Sequence, residues 1–204
     1  MNDQNQQPKK SWQERQKERE LESQRAERKR TAKKIGYSVL ALAAVFALGW
    51  WYVSTSAPKG PDYSETVLIL GREHVADGTI INSYNSNPPT SGPHYAQPAN
   101  ATFYSTELPD ERVVHNLEHG HVWISYRPSV QEEVVKVLNG FAGGLVIVTP
   151  RAANDTDIAL AAWGRLDKFD LSTPDINNYE GRIRDFIVRY QNKGPEKVSP
   201  ALHR

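Results

Sequence analysis

The chain has 204 residues, a formal net charge of +1 and no cysteine. It can therefore form no disulfide, thiolate metal site or cysteine nucleophile, and any metal site must use imidazole, carboxylate or carbonyl ligands. Residues 1–34 carry 11 Lys and Arg against 6 Asp and Glu, whereas the remainder carries 14 against 18. We expect no nucleic-acid partner, because the larger part of the chain lacks the basic excess that phosphate binding requires.

The first predicted element is a transmembrane helix over residues 35–53, IGYSVLALAAVFALGWWYV, which contain no charged side chain. At 1.5 Å per residue this helix is just under about 30 Å long, which matches the hydrocarbon thickness of a bilayer. Two tryptophans and a tyrosine at its end are typical of the membrane interface. The basic excess before it predicts a cytoplasmic charged arm over 1–34 and an exported chain from residue 54 onward.

A cleavable signal peptide is the alternative for this segment. The charged region of a signal peptide is normally short, and its apolar core has about 7–15 residues. Both lengths are exceeded in this chain. We therefore expect an uncleaved signal anchor and a single-pass integral membrane protein.

The exported part is predicted to begin with a linker over 54–64, STSAPKGPDYS, followed by one domain over 65–197. The proline-rich stretch 82–100 excludes a regular helix or a central strand and predicts a long loop. Hydrophobic periodicity predicts strands at 66–70, 121–127, 144–150 and 158–163, and helices at 129–143 and 175–192. This order predicts an α+β domain with a mainly antiparallel sheet covered by helices.

The segment HNLEHGH, residues 115–121, holds three of the six histidines. His115 and His119 are four residues apart, so on a helix both imidazoles could reach one ion. With Glu118 they match H-x-x-E-H, in which two histidines hold zinc and the glutamate is the base of a hydrolase. Gly120 argues against this interpretation, because it would end a helix at the second histidine.

Two other interpretations of the same residues remain open. His94, at the end of the proline-rich loop, could converge with His115, His119 or His121 around a divalent transition metal such as Zn or Cu. Alternatively, the histidines and Glu118 form only a hydrogen-bonded network that anchors the loop to the sheet. If a strand begins at His119, His119 and His121 share one face at a loop-to-strand junction.

Three motifs resemble domain-of-unknown-function family 3105: PPTSGPH at 88–94, VHNLEHG at 114–120 and AWGR at 162–165. The resemblance spans roughly residues 66–197. It implies an exported α+β domain of a bacterial envelope protein, often with an N-terminal membrane anchor. It marks His94, His115, Glu118 and His119 as motif positions and implies no activity.

The sequence thus predicts a membrane-anchored binding or structural module whose His/Glu cluster holds a divalent metal or a small ligand. The expected ligands are His94, His115, Glu118 and His119. One alternative is a metal-dependent hydrolase that uses His115, Glu118 and His119. The other is an envelope scaffold in which the same network is purely structural. The patterns identify no protein or small-molecule partner.

Overall fold

The structure, a computed structural model, describes residues 11–172 and 178–196. The chain divides into two compact units, Met1–Ser56 and Ala57–Arg204. The predicted start of the last helix at residue 175 and the first ten residues of the predicted arm lie outside the described residues.

From residue 11 onward the first unit forms one helix, α1, Trp12–Ser56. It continues without a break from the charged arm through the apolar segment, and every residue from Ile35 to Val53 is exposed. An apolar surface on all sides of a helix is typical of a membrane span, because a helix on a protein surface has a polar face. Within the described part of the chain, α1 is the helix that is long and apolar enough to cross a membrane.

The second unit is built from short elements. In chain order they are β1 Glu65–Thr66, β2 His74–Val75, β3 His94–Tyr95, α2 Asp110–Glu118, β4 Val122–Tyr126, α3 Glu132–Asn139, β5 Val146–Pro150, β6 Ile158–Ala162, β7 Arg165–Phe169 and α4 Tyr179–Tyr190. Five strands form one sheet in the order β1-β7-β6-β4-β5, and β2 and β3 form a separate parallel pair. The predicted α+β class is confirmed.

The five-stranded sheet is mixed, so the prediction of a mainly antiparallel sheet was wrong. Strands β4 and β5 are parallel, whereas the β1–β7, β7–β6 and β6–β4 pairs are antiparallel. Parallel neighbours need a crossover between them, and α3 lies in that connection.

Both faces of the sheet are buried against helices. On one face Val122 and Ile124 pack with Leu138 of α3 and with α4. On the other face Trp123 packs with Leu117 of α2. Alternate residues of β4 therefore enter opposite cores, and α2, which carries the histidine motif, is fixed to one side of the sheet.

The strand predicted at 66–70 is confined to Glu65 and Thr66, so most of that prediction was wrong. Beyond Thr66 the backbone contacts the proline-rich loop. The Leu70 amide donates to Ser91 Oγ at 3.0 Å, and the Gly92 amide donates to the Gly71 carbonyl at 3.2 Å. This segment therefore supports the loop that leads to His94 instead of extending the sheet.

Residues 59–64, in the predicted linker, are hydrogen-bonded to α4. The Lys59 amide donates to Asp185 Oδ1 at 2.9 Å, and the Tyr190 hydroxyl contacts Ser64 Oγ at 2.8 Å. This part of the chain is consequently attached to the second unit.

Candidate metal centre

The histidine motif occupies the last turn of α2 and the turn that follows. Helix α2 ends at Glu118, His119 is its C-cap, and Gly120 has a φ of +80°. The His121 amide donates to the Asn116 carbonyl at 3.0 Å, which is the long bond of a Schellman motif. Gly120 supplies the left-handed conformation that this helix end requires.

The predicted loop-to-strand junction, with a strand from His119, was wrong. His115 and Glu118 lie within the helix, and β4 begins only at Val122. His115 and His119 consequently lie one turn apart on the same side of α2, with ring centroids 4.7 Å apart. The motif is helical up to its second histidine.

His115 is held with one ring nitrogen free to accept. Its Nδ1 donates to the Tyr95 carbonyl at 2.7 Å, because a carbonyl oxygen can only accept. Burial, together with the nearby imidazoles, lowers the pKa of His115 from 6.5 to about 4, against the opposing effect of the Tyr95 carbonyl. Near neutral pH the ring is therefore uncharged, with a lone pair on Nε2.

His94, within the proline-rich loop, has the same arrangement. It is fully buried, and its Nδ1 donates to the Gly92 carbonyl at 2.8 Å. Its Nε2 lies 3.0 Å from Oε2 of Glu118, which is 2% exposed. A lone pair on Nε2 would face a carboxylate oxygen, so a cation, either a proton or a metal ion, has to lie between them.

His74 lies beside these two side chains because strands β2 and β3 pair in parallel. It lies opposite His94, and it is exposed, unlike the other two. Its ring centroid is 5.0 Å from that of His94 and 5.1 Å from that of His115. One ligand atom from each of His74, His94 and His115 lies within 4.8 Å of the others, so the three imidazoles could hold a metal ion.

The His74 and His115 rings are stacked, with an interplanar angle of 8°. An imidazole coordinates through a lone pair in the plane of its ring, so the two stacked rings cannot both point at one ion. His74 has to turn for both to coordinate, and its exposure leaves it room to do so.

The fourth ring, His119, contacts His115 through the nitrogens. The two Nε2 atoms are 2.9 Å apart. Since His115 has its proton on Nδ1, this contact is a hydrogen bond only when His119 carries a proton on Nε2 and donates it. In the ion-free protein, Nε2 of His119 is therefore occupied by the hydrogen bond to His115 and is not available to an ion.

The structure brings the four predicted residues together as two contacting pairs, His94 with Glu118 and His115 with His119. The rings of His94 and His115, 5.1 Å apart, join the pairs. His121, by contrast, donates through Nδ1 to the Asn116 carbonyl.

Sequence reasoning missed His74. It lies in no motif, and its only local signal is that it is one of six histidines. Its place beside His94 depends on the pairing of two strands of two residues each, separated by a long loop. Hydrophobic periodicity cannot reveal strands of that length.

The same region also contains a structural brace. Asn116, which is fully buried, accepts from the Ala99 amide and donates to the Ala99 carbonyl, both at 2.8 Å. With the His115 bond to Tyr95, these contacts fasten the end of the proline-rich loop to α2.

The chain matches a protein-family model. The family model described as "Protein of unknown function (DUF3105)" matches residues 74–201, more than half of the chain. No curated protein and no solved structure matches the chain. The matched residues include all four histidines of the cluster and Glu118.

Proposed function

This chain belongs to the DUF3105 family, as its motifs predicted, and from its site we propose that the domain binds one divalent transition-metal ion. The proposed ligands are His74, His94 and His115, with Glu118 and His119 completing the site. The observation that carries the proposal is the approach of three imidazoles from β2, β3 and α2 to within 4.8 Å.

The hydrogen bonds of the two buried imidazoles support this proposal. Histidines that bind metals usually donate their other ring N–H to a carbonyl or carboxylate, which fixes the tautomer and the ring orientation. His94 and His115 both donate through Nδ1 to backbone carbonyls, so in each ring Nε2 is the nitrogen left for the ion. The two rings therefore have the arrangement of metal ligands whose orientation is fixed by hydrogen bonds to the backbone.

Charge also supports a cation at this place. Glu118 is a buried carboxyl group, and the Arg72 side chain beside it is half exposed, with Nε 3.7 Å from Oε1. Imidazole ligands without thiolates suit Zn²⁺ and Cu²⁺, and the general order of affinities places Cu²⁺ above Zn²⁺. We expect both ions to bind, and Cu²⁺ more tightly.

Binding is the function that these contacts favour over hydrolysis. A general base has to reach the water or substrate from which it takes a proton. Glu118 is buried and engaged by His94. Its position therefore favours a ligand or a charge partner over a base open to a substrate.

We also propose that α1 anchors this domain in a membrane. In this arrangement residues 1–34 form the cytoplasmic arm, 35–53 the span, 54–64 the linker and 65–197 an extracytoplasmic domain. The basic excess of the arm and the apolar surface on all sides of the span support it.

Metal titration of the full chain, purified in detergent without a polyhistidine tag, tests the metal proposal. We expect one Zn²⁺ or Cu²⁺ per chain and a higher melting temperature with metal. His74→Ala should weaken binding by about tenfold or more without unfolding the domain, because a ligand is lost from an exposed position. Lys136→Ala, exposed on α3, is the control. Absence of stoichiometric metal together with an unchanged melting temperature would refute the proposal.

A further inference from the structure

The segment from Asn192 to Glu196 lies against the end of α2. The Asn192 amide donates to the Gly120 carbonyl at 2.7 Å, and the Glu196 amide donates to the Glu118 carbonyl at 3.1 Å. A Cβ atom on Gly194 would overlap the Glu118 carbonyl oxygen and the Gly120 nitrogen. Only glycine therefore allows this close approach, which fixes the position of Glu196 beside the cluster.

The two carboxylate oxygens of Glu196 face different partners. Oε1 lies 3.7 Å from Nη1 of Arg72, whose Nε is 3.7 Å from Glu118. Oε2 lies 4.0 Å from Nδ1 of His119. Arg72 thus holds the carboxylate next to the outer nitrogen of His119.

The outer nitrogen of His119 needs an explanation, because buried polar atoms normally have hydrogen-bond partners. Among the described residues, Nδ1 of His119 is buried and has no hydrogen-bond partner. The contact with His115 explains this, because it requires the proton of His119 on Nε2 and leaves a lone pair on Nδ1. A lone pair cannot bond to a carboxylate, which accounts for the gap of 4.0 Å to Glu196.

We infer that Glu196 is a positioning residue that turns His119 into a metal ligand. When an ion occupies the site, the His119 Nε2–H bond breaks and its proton passes to water. An Nδ1–H bond forms with a proton taken from water. The ring stays neutral and no net proton is taken up or released at His119. The new Nδ1–H donates to Oε2 of Glu196, and Nε2 presents its lone pair to the ion.

The required movements are small. The contact between Nδ1 and Oε2 has to shorten by about 1 Å to reach the length of a charge-assisted hydrogen bond. The two Nε2 atoms have to separate from 2.9 Å to about 3.3 Å, the spacing of two nitrogens bound to tetrahedral zinc. Glu196 is half exposed, so its side chain has room for this small shift.

This inference rests on the proposed metal site, and its test uses the full chain in detergent with Zn²⁺ as the probe. In a sample labelled with ¹⁵N-histidine, we expect His119 to carry its proton on Nε2 without zinc and on Nδ1 with zinc. Glu196→Ala should abolish the zinc-dependent change of tautomer and weaken zinc binding about 10–100-fold, the range for outer-shell partners. The control, Glu133→Ala, removes the same charge from the exposed surface of α3.

A second substitution separates position from charge. In Glu196→Gln the amide oxygen still accepts from Nδ1–H, so we expect the tautomer change to persist and affinity to fall less than in Glu196→Ala. Unchanged melting of each zinc-free variant shows that folding is intact. If the wild-type chain binds zinc and Glu196→Ala matches it in both affinity and tautomer, this inference is wrong and the metal site stands. If the wild-type chain binds no zinc, the metal site itself is refuted, and the inference with it.

Discussion

Nε2 of His94 and Oε2 of Glu118 lie 3.0 Å apart with both side chains buried, while Nδ1 of His94 is committed to the Gly92 carbonyl. Two acceptors cannot remain this close in a buried place without a cation between them. In the ion-free protein that cation is a proton, on either the imidazole or the carboxyl group. A metal ion that takes Nε2 has to displace it.

Zinc binding should therefore displace the proton that lies between these two side chains. Glu118→Gln places an amide N–H against Nε2 of His94, so the extra proton is no longer needed. We expect this variant to fold, to release about one proton fewer and to bind zinc about tenfold or more weakly. Calorimetric titration in two buffers of different ionisation enthalpy measures the released protons. Equal release from the variant and the wild-type chain would contradict this assignment.

The stability of the metal-free protein should fall as the pH is lowered from about 6.5 to about 4, because the pKa of His115 is lowered to about 4 in the folded state. Between these values the unfolded chain binds a proton that the folded chain does not, so acid favours unfolding. Above pH 6.5 the contribution of His115 is complete, and below pH 4 it is lost. Urea unfolding in the presence of a chelator, at a series of pH values, measures the slope. His115→Gln should have a shallower slope over this window, and an identical slope would refute the assignment to His115.

Asn116→Ala distinguishes the structural brace from the metal site. It leaves the buried amide and carbonyl of Ala99 without partners, which should lower the free energy of unfolding by about 1–3 kcal/mol. The metal stoichiometry should not change, because Asn116 contributes no ligand. Asn139→Ala, at an exposed position on α3, is the control. Loss of metal by a folded Asn116→Ala protein would show that the brace and the site are one unit.

The long periodic segments were predictable from the sequence because the apolar residues that they bury recur at a regular local spacing. Strands β4, β5 and β6 and helices α3 and α4 lie within the predicted segments. The parallel pairing of β4 with β5 was not predicted, because hydrophobic alternation does not encode which strands become neighbours. Helix α2 was missed because its nine residues mix buried apolar side chains with buried histidine and glutamate.

The candidate site was predictable where its residues are adjacent in sequence. His115, Glu118 and His119 share one motif, and His94 lies in the proline-rich loop, so their convergence could be anticipated. His74 and Glu196 reach the cluster only through the two-residue β2–β3 pair and the backbone bonds at the end of α2. Both contacts join segments that are distant in sequence, and no local pattern marks them.

Gly120→Ala should destabilise the domain more than Gly78→Ala, although both glycines have a similar positive φ, +80° and +86°. A Cβ atom on Gly78 meets nothing within 4 Å, so that change measures conformational strain alone, of about 1 kcal/mol. A Cβ atom on Gly120 would lie 2.9 Å from Cα of Asn192, so the segment that carries Glu196 has to move as well. Thermal unfolding measures both variants, and zinc affinity should fall only in Gly120→Ala. Equal destabilisation would show that the contact between the 192–196 segment and the end of α2 adds nothing to the cost of the substitution.

The proposed orientation of the anchor can be tested with single cysteines, because the native chain has none to interfere. Ser23→Cys lies in the charged arm and Ser129→Cys in the second unit, and both positions are exposed. In intact bacterial spheroplasts a membrane-impermeant maleimide should label Ser129→Cys, since the basic arm keeps the N-terminal side in the cytoplasm. Ser23→Cys should be labelled only after lysis, and the unmodified chain should not be labelled at all. The labelled protein should keep its full-length mass, because the anchor is expected to remain uncleaved. Labelling of Ser23→Cys before lysis, with Ser129→Cys protected, would reverse the orientation and place the metal site in the cytoplasm.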